Sequence, residues 1–249
     1  MTSPLTLASG SPRRRALLAE FGVPFRVVVS DAPEELGTDG DAETQAVMLA
    51  ARKAQAVASG LTEGLVLGAD TIVTIDGEML GKPRDDADAA RMLRRLSGRD
   101  HHVVTGVALV DAATSVGQTT AVTSAVHMRA LTDAEIAAYI LSGEPRDKAG
   151  AYAIQGLGSS LIDHFGGCYT NIVGLPLCAV AALLIKAEFD FPDARPGCRL
   201  PDGTACANEP SPAALLPSER GCRESCPSPS STGRVPAQRV AGKGGEGLR

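Results

Sequence analysis

The residues able to do chemistry fall in a few short polar stretches set among apolar ones. The first is Ser9-Gly10-Ser11-Pro12-Arg13-Arg14-Arg15. A Gly/Ser turn leading into a helix start gathers free backbone N–H groups and hydroxyls at one point. Arg13 and Arg14 add planar guanidinium forks that match phosphate oxygens. With Ser9 and Ser11 they form a candidate polyphosphate cradle, although the sequence is not a Walker motif. The plainer reading is an ordinary N-cap followed by solvated arginines. The second stretch is Gly68-Ala69-Asp70-Thr71. A carboxylate inside an apolar strand is costly unless it is paired, bound to metal or at the mouth of a cleft. Asp70 therefore stands out, the alternative being a buried Asp that caps a neighbouring turn.

Three further stretches complete a chemical set. Gly81-Lys82-Pro83 offers Lys82 as a point charge for phosphate, and Ser30-Asp31-Ala32-Pro33-Glu34-Glu35 offers a second carboxylate. Glu34 or Glu35 could join Asp70 around a divalent ion such as Mg²⁺, which takes one or two carboxylates and substrate oxygens. Taken alone, either group is more often solvated surface charge. In Asp147-Lys148-Ala149-Gly150-Ala151-Tyr152-Ala153-Ile154-Gln155-Gly156, small residues between polar ones let backbone pass close to a ligand. Gln155 carries both a donor and an acceptor, as a reader of a base edge needs, though a tight loop with an exposed amide would look the same. His101, His102, His127 and His164 show no metal-ligand spacing as a set, and no nucleophile elbow or Ser-His-Asp order appears.

Alternating strand and helix patterns must position these groups. Short strands are expected at Leu5–Ala8, Phe25–Val29 and Leu161–Phe165, and longer ones at Val103–Val110 and Thr119–Arg129. Leu65–Ile75 is the strongest strand, with a break expected at Gly68-Ala69-Asp70, and Asp76-Gly77 signals a hairpin into Glu78–Leu80. Helices are expected from Pro12, over Thr44–Ser59, Asp86–Leu96 and Asp133–Leu141, and over a closing Leu175–Ala187. Thr132 followed by Glu135 is a capping-box pattern. Hairpins among the strands predict an α/β fold with a mixed twisted sheet flanked by helices.

The chain has 249 residues and net charge −5, but this is a sum of unlike parts. Residues 195–249 contain eight of the 16 Pro, four of the six Cys and no aromatics, and carry net +3. Such a segment buries too little to offset its ordering entropy, so 1–194 reads as the domain and 195–249 as a disordered tail. Cys222 and Cys226 have zinc-like spacing, but Cys198 and Cys206 do not and no His is near, so reduced thiols are the favoured reading. The body, at net −8 with few aromatics, does not look like a binder of nucleic-acid polymers. The apolar run Leu175–Ile185 is too short to span a bilayer, and no signal-peptide pattern opens the chain. A cytoplasmic protein is the expectation.

The order of these motifs is specific. Leu7-Ala8-Ser9-Gly10-Ser11-Pro12-Arg13-Arg14, Gly68-Ala69-Asp70-Thr71, Gly81-Lys82-Pro83, Thr105-Gly106-Val107, Asp147 to Tyr152, Ile154-Gln155-Gly156 and Val173-Gly174-Leu175-Pro176-Leu177 together resemble the Maf family. The resemblance spans about residues 3–190. It implies a two-lobed fold with a central cleft, similar to the inosine-triphosphate pyrophosphatases, and nucleoside triphosphate pyrophosphatase activity. Arg13, Thr71 and Gln155 match the branch acting on dTTP and UTP, and modified pyrimidine nucleotides are a further substrate expectation. The family's catalytic proton acceptor falls on Asp70, with Glu34, Lys53, Lys82 and Gln155 at other polar site positions. Glu34 and Asp70 would hold a divalent metal (Mg, Mn or Co), and a homodimer is implied. Ala153 and Cys168 depart from common family residues, and nothing in the family matches the tail. The rival expectation is a non-catalytic nucleotide-sensing regulator of cell division.

Overall fold

The computed structural model of the chain describes residues 4–37, 40–191 and 238–239. Its strands are β1 (Leu5–Leu7), β2 (Phe25–Val27), β3 (Leu65–Ile75), β4 (Glu78–Leu80), β5 (Asp100–Asp111), β6 (Gly117–Met128), β7 (Ile162–Gly166) and β8 (Gln238–Arg239). They form one mixed sheet in the order β2-β1-β3-β5-β6-β7-β8, with β4 paired to β3. β1 runs parallel to both β2 and β3, and every other pairing is antiparallel.

The helices are α1 (Pro12–Glu20), α2 (Ala42–Ala58), α3 (Asp86–Leu96), α4 (Asp133–Leu141), α5 (Tyr169–Val173) and α6 (Leu177–Lys186). Each of the first four begins at a side-chain cap: Ser11, Asp41, Asp85 and Thr132. The expected capping box is present, with Thr132 and Glu135 each satisfying the other's backbone N–H. α2 covers one face, where Ala50, Ala54 and Val57 meet Val66, Ala108 and Val110. The opposite face carries the larger core, in which Leu17 and Leu18 of α1, Leu93 of α3, Ile136 of α4 and Leu184 of α6 pack on Leu67, Val107 and Leu109.

Several boundaries differ from the sequence expectations. β3 runs unbroken through Gly68-Ala69-Asp70, because Gly68, Ala69 and Asp70 pair in register with Ala108, Val107 and Gly106. Glycine serves here for close approach, not as a breaker. A Cβ on Gly68 would lie 2.3 Å from the Ala50 carbonyl oxygen, and one on Gly106 would lie 2.2 Å from the Ala46 carbonyl carbon. α2 thus lies directly on these two bare strand positions. The expected closing helix Leu175–Ala187 is α6, and a short helix the sequence did not announce, α5, precedes it across Gly174 at φ 117°. β2 ends at Val27, two residues short of the expectation. The expected disordered tail lies outside the described residues, apart from Gln238 and Arg239, which pair with Phe165 and His164. Among the described residues, no helix is long and apolar enough to cross a membrane.

Candidate active site

β3 outlasts its parallel neighbour. β1 pairs with β3 only as far as Leu7↔Leu67, then turns away through Ser9 into α1. Asp70 and Thr71 follow on β3 beside this gap, facing opposite sides of the sheet. A crevice beyond the carboxyl end of a parallel strand, where its neighbours diverge, is where open α/β sheets bind ligands. Here it is a cavity of about 910 Å³, lined by Ser9, Ser11, Arg13, Arg14 and Glu34, and also by Lys53, Asp70, Thr71, Lys82 and Gln155. All ten residues singled out from the sequence therefore border one space.

On the α2 side, Asp70 lies opposite Gly106, which has no side chain to fill the position. The backbone of Ala46 and Val47 in α2 lies over that position, and Lys53 further along the same helix reaches Asp70. Its Nζ donates to Asp70 Oδ1 at 2.6 Å and to Glu34 Oε1 at 2.7 Å, with only 7% of the lysine side chain exposed. Lys82 Nζ donates to the other Glu34 oxygen at 2.5 Å. Burial alone would push the Glu34 carboxyl up, but hydrogen bonds and charge from Lys53 and Lys82 outweigh it and hold the group at about 2. Of the two candidate acids in that stretch, it is Glu34 that joins Asp70.

Across the sheet, Arg14 is tied at three nitrogens. Nε donates to the Gly174 carbonyl at 2.8 Å, one terminal nitrogen to Thr71 Oγ1 at 3.0 Å, and the other to Ser9 Oγ at 3.4 Å. Burial lowers its pKa, against the opposing charge of Asp70. The hydroxyls behind it have a fixed direction. Thr105 donates its only hydroxyl hydrogen to the Asn171 carbonyl at 3.1 Å, so the 3.0 Å contact between Thr71 and Thr105 must be donated by Thr71. Ser11 caps α1 through Arg14 N. Arg13 reaches Asp147 at 3.4 Å, and Asp147 also pairs with Lys148. Burial raises the Asp147 carboxyl, yet these two cations carry it below its ordinary value. Gln155 stands exposed on the cavity wall, in extended backbone before a short 3₁₀ turn at Gly156–Leu161.

The sequence reading overlooked the support of Arg14 by Thr105, Asn171 and Gly174, and the pairing of Asp147 with Arg13. A polar Thr105 within the apolar run Val103–Val110 was the available signal. The four histidines show no metal-ligand spacing along the chain. Strand pairing nevertheless brings two of them together, since β5, β6 and β7 place Asp100, His127 and His164 side by side.

The family model for Maf-like protein matches residues 4–187. The chain belongs to the Maf family. Similar members include one from Syntrophotalea carbinolica named dTTP/UTP pyrophosphatase, 48% identical over 200 residues that cover 79% of this chain and 91% of the relative. Proteins of the same name from Moorella thermoacetica and Geobacter metallireducens are 51% and 50% identical, over 73% and 72% of this chain and 94% and 93% of their own lengths. The Maf match spans every residue that lines the cavity.

Proposed function

We propose that this Maf protein is a pyrophosphatase that cleaves dTTP and UTP to the monophosphate and pyrophosphate, with Asp70 as proton acceptor. The observation that carries the reading is the meeting of Asp70 with Arg13, Arg14, Lys53 and Lys82 in a single cavity. Its volume suits a nucleotide, since ligand pockets run to several hundred Å³. Placed cations matter because the body as a whole is acidic and offers a polyanion little general attraction.

The residues divide the work. Arg13 and Lys82 reach the phosphates, and Arg14 keeps two of its five N–H groups for them after its three internal bonds. Lys53 fixes Asp70 through Oδ1, leaving Oδ2 to receive a proton from the attacking water. The water oxygen bonds to the α-phosphorus, the bond to the bridging oxygen breaks, and pyrophosphate leaves with its charge balanced by the arginines and Lys82. Glu34 and Asp70, two carboxylates joined by one ammonium, present the hard oxygen donors that Mg²⁺, Mn²⁺ or Co²⁺ accepts. Bound there, such an ion would supply charge neutralisation at the phosphate oxygens. Gln155 pairs with the donor and acceptor edge shared by thymine and uracil. The proposed setting is the cytoplasm, with free nucleotides rather than polymers as substrate and a homodimer as the assembly.

Pyrophosphate release measured across dTTP, UTP, dCTP, GTP and modified pyrimidine triphosphates tests this. We expect dTTP and UTP to lead the panel. Asp70→Asn should lower kcat by about 10²–10⁴, the usual contribution of a general base. Near-wild-type turnover by that variant would remove Asp70 from the role, and no release from any triphosphate would leave nucleotide sensing as the function.

A further inference from the structure

Away from the cavity, the far strands carry a group of ligating side chains that the proposed reaction does not use. Asp100 of β5 is paired in register with His127 of β6, and His127 with His164 of β7. Directly opposed residues of antiparallel strands share a face, so the three side chains form a row across the sheet. One ligand atom from each lies within 4.8 Å of the others. The imidazoles stack at 4.8 Å between centroids and 8° between planes. His127 Nδ1 is 2.8 Å from Asp100 Oδ1, and His164 Nδ1 is 3.2 Å from Asp163 Oδ2. Asp163, which is outside the trio, sets the tautomer and ring orientation of His164, the support that metal-binding histidines ordinarily receive, while the His127–Asp100 contact shows two of the three groups already meeting. The histidine side chains are 26% and 35% exposed, open enough for an ion to enter.

From this geometry we propose that Asp100, His127 and His164 form a surface site for a borderline divalent cation of the Zn²⁺ type, separate from the carboxylates of the cavity. The donor chemistry makes the distinction. Two imidazoles and one carboxylate suit Zn²⁺, Ni²⁺ or Cu²⁺, whereas Mg²⁺ prefers oxygen and keeps its water. None of the three residues lines the cavity. The position gives the ion a mechanical role. The β6–β7 register is irregular between His127 and Met128, and an ion held by all three strands would pin the pairing at that place. Because it binds the folded arrangement, it stabilises the fold by mass action.

Calorimetric titration of the full chain with ZnCl₂ in millimolar MgCl₂ tests the site, with Mg²⁺ saturating the oxygen donors of the cavity. A parallel titration uses the full chain with Cys198, Cys206, Cys222 and Cys226 changed to Ser, which removes the tail thiols as ligands. The expected result is one Zn²⁺ per chain in both proteins and a higher Tm with Zn²⁺ than without. Affinity should fall at least tenfold in His127→Asn and in His164→Asn, each retaining wild-type pyrophosphate release with Mg²⁺. Circular dichroism of these two variants checks that each is folded. Binding that disappears with the tail thiols, that persists unchanged in both histidine variants, or that is absent from the wild type would overturn the proposal.

Discussion

Arg14 shows how a single residue can be held by the structure and, in the proposed function, still have capacity for a ligand. Its guanidinium has five N–H groups, three of which are committed to Gly174, Thr71 and Ser9. Thr71 connects this arginine to the hydroxyl chain ending at the Asn171 carbonyl. Thr71→Val keeps the shape but leaves the Arg14 nitrogen and Thr105 without that partner, at a cost of about 1–3 kcal/mol. If half of this appears in the transition state, kcat/KM for dTTP falls by about two- to tenfold; steady-state kinetics and an unchanged circular dichroism spectrum would check it. At this scale much was legible from sequence. Asp70 was conspicuous as a charge in an apolar strand, and Ser9, Ser11 and Arg13 as a helix-start cluster. Lys53 was not conspicuous by itself, because a lysine in an amphipathic helix looks solvated. Its inward setting shows only once α2 is seated on the bare Gly68 and Gly106 and the lysine pairs with Asp70 and Glu34, residues distant from it in the chain.

At the scale of elements, the spacing between α2 and the sheet controls the site. Gly106→Ala places a methyl 2.2–2.4 Å from backbone atoms of Ala46 and Val47, which cannot swing aside as a side chain would. Overpacking of this kind costs about 1–3 kcal/mol, and for a domain of this size each kcal/mol lowers Tm by about 2–4 °C. A shifted α2 also carries Lys53 away from Asp70, so kcat should fall along with Tm. α3 provides a separate test through Asp88, which is bonded by Arg84 N and Nε at 3.2 Å and by Arg91 Nε at 3.0 Å. These bonds, led by the Arg84 side chain, hold its carboxyl at about 2, below the ordinary 3.8. A depressed folded pKa gives stability that is complete above 3.8 and lost as pH falls toward 2. Urea denaturation should find Asp88→Asn less stable by about 1–2 kcal/mol at pH 7, with the difference from wild type shrinking over that acid range. The elements themselves were mostly readable, α3, α4, β3 and β4 to the residue. What the sequence could not show was glycine's role inside β3. A strand-breaking Gly and a Gly that admits a helix are alike until the partner helix is in place.

Across the whole molecule, every residue that lines the cavity falls between Ala8 and Gly174. A chain ending at residue 191 should therefore keep the kcat/KM of the full chain for dTTP and UTP, measured by pyrophosphate release. Within the body, the sequence separation of 160 between Arg14 and the Gly174 carbonyl that anchors it has a consequence for folding. The proposed phosphate cradle is encoded near the start of the chain, yet its arginine is not seated until the turn between α5 and α6 has formed and docked. Contacts of such sequence separation carry a high loop-closure cost and form together with the global fold rather than before it. On a ribosome, the growing chain would contain its cradle early and remain inactive until the final helices emerged. Recovery of catalysis after dilution from denaturant should then coincide with the last cooperative step of refolding.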